Sequence, residues 1–167
     1  VTDATNMLST ADGALSSMTD IVSRMQDLAT EAANDTYDSS DRDAMQSEYS
    51  ELASQLGSVM KTTAYGGTTL LNTSGTAGLL ASSAGVTFPV GASAGETLTV
   101  ALASSLTAIY SAISALAAAT SSLASATAAS GALTALSTLQ SDISSTRSTL
   151  GAKENRLTYI SDNLTNE

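Results

Sequence analysis

The sequence has no cysteine and no histidine, and these two absences remove several kinds of chemistry. Without cysteine there can be no disulfide and no thiolate metal ligand, and the redox compartment cannot be read from the sequence. Without histidine the chain lacks the commonest general base and the commonest metal ligand. We therefore expect no metal site and no bound cofactor.

Large side chains and proline are also scarce. Aromatic residues make up 4% of the chain, tryptophan is absent, and Pro89 is the one proline. Alanine, serine, threonine and leucine supply most of the remainder, and such side chains suit close contact between helices along thin seams. The 167 residues are enough for one domain, so we expect residues 1–167 to form a single unit.

Positive charge is the third shortage. Six lysines and arginines stand against sixteen acids, which gives a net charge of −10. This balance argues against nucleic acid and against an anionic membrane surface as partners. The sequence shows no apolar run of membrane-spanning length and no signal peptide. It begins and ends in mid-pattern, so we expect it to be a piece of a longer protein.

Apolar residues recur at alternating steps of three and four near the start of the chain, the spacing of a coiled-coil seam. This spacing predicts a helix over 1–34, and a second series predicts a helix over 41–64. Ser40 is the expected N-cap of the second helix, and Gly66-Gly67 is its expected stop. The short loop between the helices predicts an antiparallel pair. The predicted seam residues are Val1, Ala4, Leu8, Ala11, Leu15, Met18, Val22, Met25, Ala29 and Ala32, then Met45, Tyr49, Leu52, Leu56 and Val59.

The second half of the chain changes pattern twice. The stretches VTFPV and ETLTVAL alternate apolar and polar residues, which predicts a β-hairpin within 84–103 with Pro89 on an edge strand or at a bulge. Heptad spacing then returns and predicts an Ala/Ser-rich helical segment over 104–130, a break at Gly131 and a C-terminal helix over 132–166. By composition alone the tract 111–131 also fits a disordered linker, although its leucines and isoleucines keep the heptad phase. The predicted fold is mainly α: an elongated bundle of long antiparallel coiled-coil-like helices with one small β-hairpin.

Two short motifs are typical of enzymes but do not form a complete set. Ser58-x-x-Lys61 and Ser161-Asp162-Asn163 match two elements of a serine β-lactamase signature, and the third element, K-T-G, is missing. The acidic loop over 35–43 lacks the central glycine and the terminal glutamate of a calcium-binding EF-hand. We therefore predict no enzyme activity and no catalytic, metal-binding or cofactor-binding residue.

Four blocks of sequence stand in order and cover most of the chain. The block ALSSMTDIVSRMQDLATEAAND resembles the first long helix of the rod-like domain of bacterial flagellin, and the block DRDAMQSEYSELASQLGSVMKTTAYGGTTLLN resembles the second helix of that domain with its loop. The flagellin hairpin is similar to VTFPVGASAGETLTV, and the returning C-terminal helix is similar to STLQSDISSTRSTLGAKENRLTYISDNL.

The resemblance implies a structural subunit of the flagellar filament, with other flagellin subunits as partners. It also implies an extracellular location and export without a cleaved signal peptide. The chain lacks the terminal segments that pair as an inner coiled coil in complete flagellins, so the resemblance covers a truncated core. A hook–filament junction protein and a generic helical interaction module are the alternatives, and the LGAKENRL block and the hairpin favour flagellin.

The resemblance also implies a receptor-binding site. In the family, the innate immune receptor for flagellin, a Toll-like receptor, contacts an arginine and a leucine of the first helix and a glutamate of the second. The matching positions here are Arg24, Leu28 and Glu48. The alternative is that Arg24 pairs with Asp20 or Asp27 while Leu28 widens the core stripe.

The last helix holds half of the positive charge, as Arg147, Lys153 and Arg156. The first 51 residues hold eleven of the sixteen acids, so we expect these three side chains to make polar contacts with the first two helices. Lys153 falls on the predicted seam, where we expect it to bury its stem and extend its amine to an acid. A polar seam residue of this kind fixes helix register.

Overall fold

The computed structural model describes residues 1–75, 77–91, 93, 95–119 and 121–166. Four helices form most of the described part of the chain, which confirms the mainly α prediction. The helices are α1 (Thr2–Ala32), α2 (Ser39–Thr62), α3 (Ala103–Ala118) and α4 (Ala126–Thr165). Between α2 and α3 lie strands β1 (Ala64–Tyr65), β2 (Thr68–Thr69), β3 (Val86–Pro89) and β4 (Thr97–Val100), with a 3-10 turn at Leu79–Ala81.

Helix α1 packs chiefly on α4 and then on α2, and α3 packs on α2 and α4. The 31 residues of α1 span roughly 45 Å. All the predicted seam residues of α1 are buried except Val1, which is half-buried. Arg147 of α4 meets Asp12 of α1 while Glu154 meets Ser9, so the two helices run antiparallel.

Helix α2 buries a face that differs from the prediction by one residue at several positions. Its buried side chains are those of Tyr49, Ala53, Leu56 and Met60, whereas Met45, Leu52 and Val59 are only half-buried at its flanks. The small Ala53 can face the seam because it allows close approach of the neighbouring helix.

Helix α2 also begins and ends earlier than predicted. Asp38, not Ser40, is the N-cap, and its carboxylate accepts a hydrogen bond of 2.9 Å from the amide of Asp41. At the other end, Gly66 and Gly67 do not stop the helix, which ends at Thr62. Their φ values of 60° and 82° form the two-residue turn between β1 and β2. The chain therefore contains a second, very short hairpin that was not expected.

The hairpin expected within 84–103 is formed by β3 and β4. The antiparallel register joins Val86 to Val100 and Pro89 to Thr97, with Leu98 and Val100 buried in the core. Pro89 ends β3 on a two-stranded sheet, where its missing N–H costs little. Ala92 and Ala94 of the expected turn lie outside the described residues.

The predicted break at Gly131 is wrong. Gly131 lies within α4, and the chain leaves helical geometry earlier, between Ala118 and Ala126. An exposed glycine costs a helix only about 1 kcal/mol, which the buried neighbours Ala129 and Ala132 outweigh. Ser125 starts α4 by accepting a hydrogen bond of 3.1 Å from the amide of Ala128. The segments predicted over 104–130 and 132–166 are therefore divided about ten residues earlier than expected.

The start of α1 and the end of α4 lie side by side at one end of the bundle. Val1, Thr2 and Thr5 line one shallow groove together with Thr158 and Ser161. The turn between α1 and α2 follows the last residue of α1, so it lies at the other end of the bundle.

Candidate functional site

Arg24 and Glu48 form an ion pair that joins α1 to α2 on the surface. The guanidinium donates two hydrogen bonds to the carboxylate, from Nε to Oε1 at 2.8 Å and from Nη2 to Oε2 at 3.1 Å. About half of each side chain is exposed, at 48% and 46%. The hydrogen bond and charge of Glu48 raise the pKa of Arg24. Arg24 thus pairs across the helices, and not with Asp20 or Asp27 of its own helix.

Leu28 does not share this surface. It is 2% exposed and belongs to the core cluster, so its side chain faces inward one turn after Arg24. The structure therefore brings Arg24 and Glu48 together in solvent and places Leu28 beneath them.

A second ion pair joins α1 to α4. Arg147 donates from Nε and Nη2 to the two carboxylate oxygens of Asp12, at 2.9 and 3.2 Å. The hydrogen bond to Asp12 raises the pKa of Arg147. Glu154 accepts a hydrogen bond of 2.8 Å from Ser9, two turns further along α4. These contacts fix the register of the antiparallel pair.

The other two cations of α4 behave differently from the expectation. Lys153 is half-buried on the seam, but among the described residues it has no carboxylate in ion-pair range. The neighbouring acid, Glu154, is instead bonded to Ser9. Arg156 is exposed and lines a groove between α4 and the β3–β4 hairpin, which Glu96 also lines, without an ion pair in the described structure.

Two further polar contacts were not anticipated. Arg42 donates hydrogen bonds of 3.0 Å to the carbonyls of Ala32 and Asn34, so it satisfies the C-terminal end of α1. Gln46 of α2 accepts a hydrogen bond of 2.8 Å from the amide of Leu123, which holds the α3–α4 turn. Neither contact had a local sequence signal, because each joins residues of different elements.

The described residues contain neither a metal-binding cluster of acids nor a helix that could span a membrane. No group of three or more acidic residues is placed to hold a metal ion in the parts of the chain the structure describes. None of the helices described is both long and apolar enough to cross a membrane. Ser58 and Lys61 line a groove with α3, whereas Ser161 lies near the end of α4 beside the start of α1, so the two motif fragments do not meet.

Comparison with known proteins agrees with this architecture. The family model for the bacterial flagellin N-terminal helical region matches residues 1–76. The crystal structure of Bacillus cereus flagellin superposes with a TM-score of 0.76 and 28% sequence identity, and the match covers 97% of this chain and 86% of that one. The chain therefore resembles bacterial flagellins in sequence over residues 1–76 and in fold over nearly its whole length.

Among flagellin relatives, Flagellin A of Vibrio anguillarum is 36% identical over 102 residues, and Flagellin B of Vibrio cholerae is 35% identical over 102 residues. Each match covers 61% of this chain and 25% of the relative. This chain thus spans about a quarter of the length of the curated relatives it matches.

Proposed function

We propose that the chain forms the helical rod of a flagellar filament subunit, located outside the cell and partnered by further flagellin subunits. The observation that carries this proposal is the long antiparallel seam of α1 and α4. It makes the bundle stiff along its axis, and the match to the Bacillus cereus flagellin structure covers nearly the whole chain. The flagellin family consists of structural proteins, which accords with the incomplete enzyme motifs described above.

Immunogold labelling tests the location of the subunit. An antibody raised against this chain should label filaments along their whole length on wild-type cells. It should label no filaments on cells in which the gene is deleted. Labelling confined to the base of the filament would instead identify a junction protein. Absence of labelling on any surface appendage would favour a generic helical module.

Export without a cleaved leader is part of the same proposal. The intact mass of the subunit sheared from cells should equal that of the gene product, apart from removal of the initiator methionine or added modifications. A mass lower by that of an N-terminal leader would contradict it.

We also propose that the Arg24–Glu48 pair is contacted by a Toll-like flagellin receptor. Its support is the exposed ion pair, which presents both charges on one surface formed by α1 and α2. Leu28 would contribute from beneath, by packing α1 in the orientation that presents Arg24.

Binding to the purified receptor ectodomain tests this proposal. Arg24→Ala and Glu48→Ala should each weaken binding, whereas Ser23→Ala, an exposed neighbour on α1, should not. Circular dichroism of all three variants should show unchanged helix content. Unchanged affinity of the Arg24 and Glu48 variants would refute this receptor assignment without bearing on filament formation.

A further inference from the structure

The groove between α2 and α3 contains a lysine and is free of acids. It measures about 280 Å³, and its polar lining includes Ser58 and Lys61 of α2 together with Tyr110 and Ser114 of α3. None of the described residues that line it carries a carboxylate. In a chain with a net charge of −10, such a groove is a local positive site.

The polar groups of this groove are donors suited to a carboxylate. Lys61 is exposed and has no ion pair among the described residues. Tyr110 lines the same groove as Lys61, and hydrogen bonds from Ser74 and Ser114 together with the Lys61 charge lower its pKa. An incoming carboxylate could therefore accept from Lys61 and from a neighbouring hydroxyl.

Self-association of this chain requires its few free cations. Copies with a net charge of −10 repel one another unless positive groups lie at their contacts. Within the described structure, Arg42, Lys61, Lys153 and Arg156 lack ion pairs, and the guanidinium of Arg42 is already bonded to the carbonyls of Ala32 and Asn34. Lys153 is half-buried on the seam and Arg156 shares its groove with Glu96, so Lys61 is the cation whose surroundings leave its charge uncompensated.

The same helix carries a complementary acidic groove. Glu48, Glu51 and Gln55 line a shallow depression of about 330 Å³ that adjoins the lysine groove at Ser58. Glu48 is already paired with Arg24, whereas the exposed Glu51 has no ion pair in the described residues. Ten residues separate Glu51 from Lys61, or about 15 Å along α2.

We propose that Lys61 in the α2–α3 groove of one copy binds Glu51 on α2 of a neighbouring copy. In a filament this contact would be heterologous, so that it repeats from copy to copy without closing. This inference rests on the proposed function, since it names one contact between filament subunits.

Charge exchange in the flagellin gene that encodes this chain tests the contact. The variants are Lys61→Glu, Glu51→Lys, the double variant of both, and a control that combines Lys61→Glu with Glu31→Lys. Both double variants keep the net charge of −10, but only the first restores an opposite pair, because the exposed Glu31 lies on α1. The measurement is the critical concentration for polymerisation of the purified full-length protein at low salt, with melting curves to establish folding.

Each single reversal should raise the critical concentration at least about tenfold, because it places like charges together. The Lys61→Glu, Glu51→Lys double variant should return close to wild type, whereas the Glu31 control should stay impaired. Polymerisation of Lys61→Glu at the wild-type concentration would overturn the inference while leaving the filament proposal intact. Equal rescue by both double variants, or by neither, would also overturn it. Failure of the wild-type protein to form filaments would overturn the proposed function itself.

Discussion

At the scale of single residues, Gly131 shows how weak a helix-breaking signal one glycine is. It lies on the exposed side of α4, and a methyl group at its Cβ position would meet nothing within 4 Å. Replacing it with alanine reduces the entropy of the unfolded chain without strain in the folded one.

Gly131→Ala should therefore raise the free energy of unfolding by roughly 0.4–1 kcal/mol, measured by urea denaturation. The matched control is Gly66→Ala, whose φ of +60° disfavours an L side chain. That control should be destabilised. A loss of stability in Gly131→Ala would show that Gly131 is required in α4 for a reason other than helix propensity.

Tyr49 gives a prediction for alkaline pH. Its side chain is fully buried, and burial raises its pKa to about 12. In the unfolded chain the phenol titrates near its ordinary value of about 10. The stabilising contribution of the neutral phenol is thus complete below about pH 10, and it falls as the pH rises towards 12 because the unfolded state loses its proton first.

Wild-type stability should therefore drop between about pH 9.5 and 11.5 by more than that of Tyr49→Phe, which has no proton to lose at this position. Unfolding curves of the two proteins at both pH values provide the comparison. Parallel losses in the two proteins would mean that the titration of other groups accounts for the whole effect.

Residue spacing predicted burial better than it predicted partners. The three-and-four steps of α1 gave its core face, because burial in a helix pair follows directly from period. Lys153 is half-buried on the seam as its spacing implied, but the expected acid does not meet its amine. The partner of Lys153 depends on which acids are already hydrogen-bonded to other residues. Glu154, for example, accepts a hydrogen bond from Ser9, which lies 145 positions away in sequence.

At the scale of elements, the α3–α4 turn is hydrogen-bonded to a residue that lies far from it in sequence. Gln46 of α2 uses its carbonyl oxygen to bind the amide of Leu123 and its amide nitrogen to bind Ser50, at 2.8 and 3.1 Å. Leu123 itself is fully buried. The turn is therefore packed and hydrogen-bonded against α2.

Gln46→Ala should lower the free energy of unfolding by about 1–2 kcal/mol, because it leaves a partly buried amide without its acceptor. It should also accelerate hydrogen exchange at Leu123. Gln55→Ala removes an equally long side chain from an exposed position on α2 and should change neither quantity. Unaltered exchange at Leu123 in Gln46→Ala would show that burial alone holds the turn.

The long helices could be predicted from sequence, whereas the division between α3 and α4 could not. An Ala/Ser-rich tract offers many serines that could act as an N-cap, and nothing local distinguishes Ser125 from its neighbours. The contact that selects the turn joins residues 77 positions apart. The Arg24–Glu48 ion pair likewise could not be predicted from the local sequence, since it depends on how α2 packs against α1.

At the scale of the whole molecule, charge is distributed unevenly. Eleven acids precede residue 52, whereas residues 97–141 carry no charge at all. Two ion pairs are formed in the described structure, so most of the described acids have no cation within ion-pair range.

Raising NaCl from about 0.01 to about 0.15 M shortens the Debye length from about 30 Å to about 8 Å. This should raise the melting temperature, because screening weakens self-repulsion more than it weakens two ion pairs. A variant with Asp27→Asn and Glu31→Gln should respond less to salt. A melting temperature that falls as salt is added would mean that the ion pairs outweigh the repulsion.

The side-by-side placement of the first turn of α1 and the last turns of α4 has a mechanical consequence. A tensile load applied to these two neighbouring ends would peel the helices apart one seam layer at a time, which needs little force. A load applied between the last turn of α4 and the α1–α2 turn would pull α4 and α1 in opposite directions. It would act on all the layers of their seam together, in shear. The same contacts would then resist far more, so the bundle is strong along its length and weak where its two ends meet.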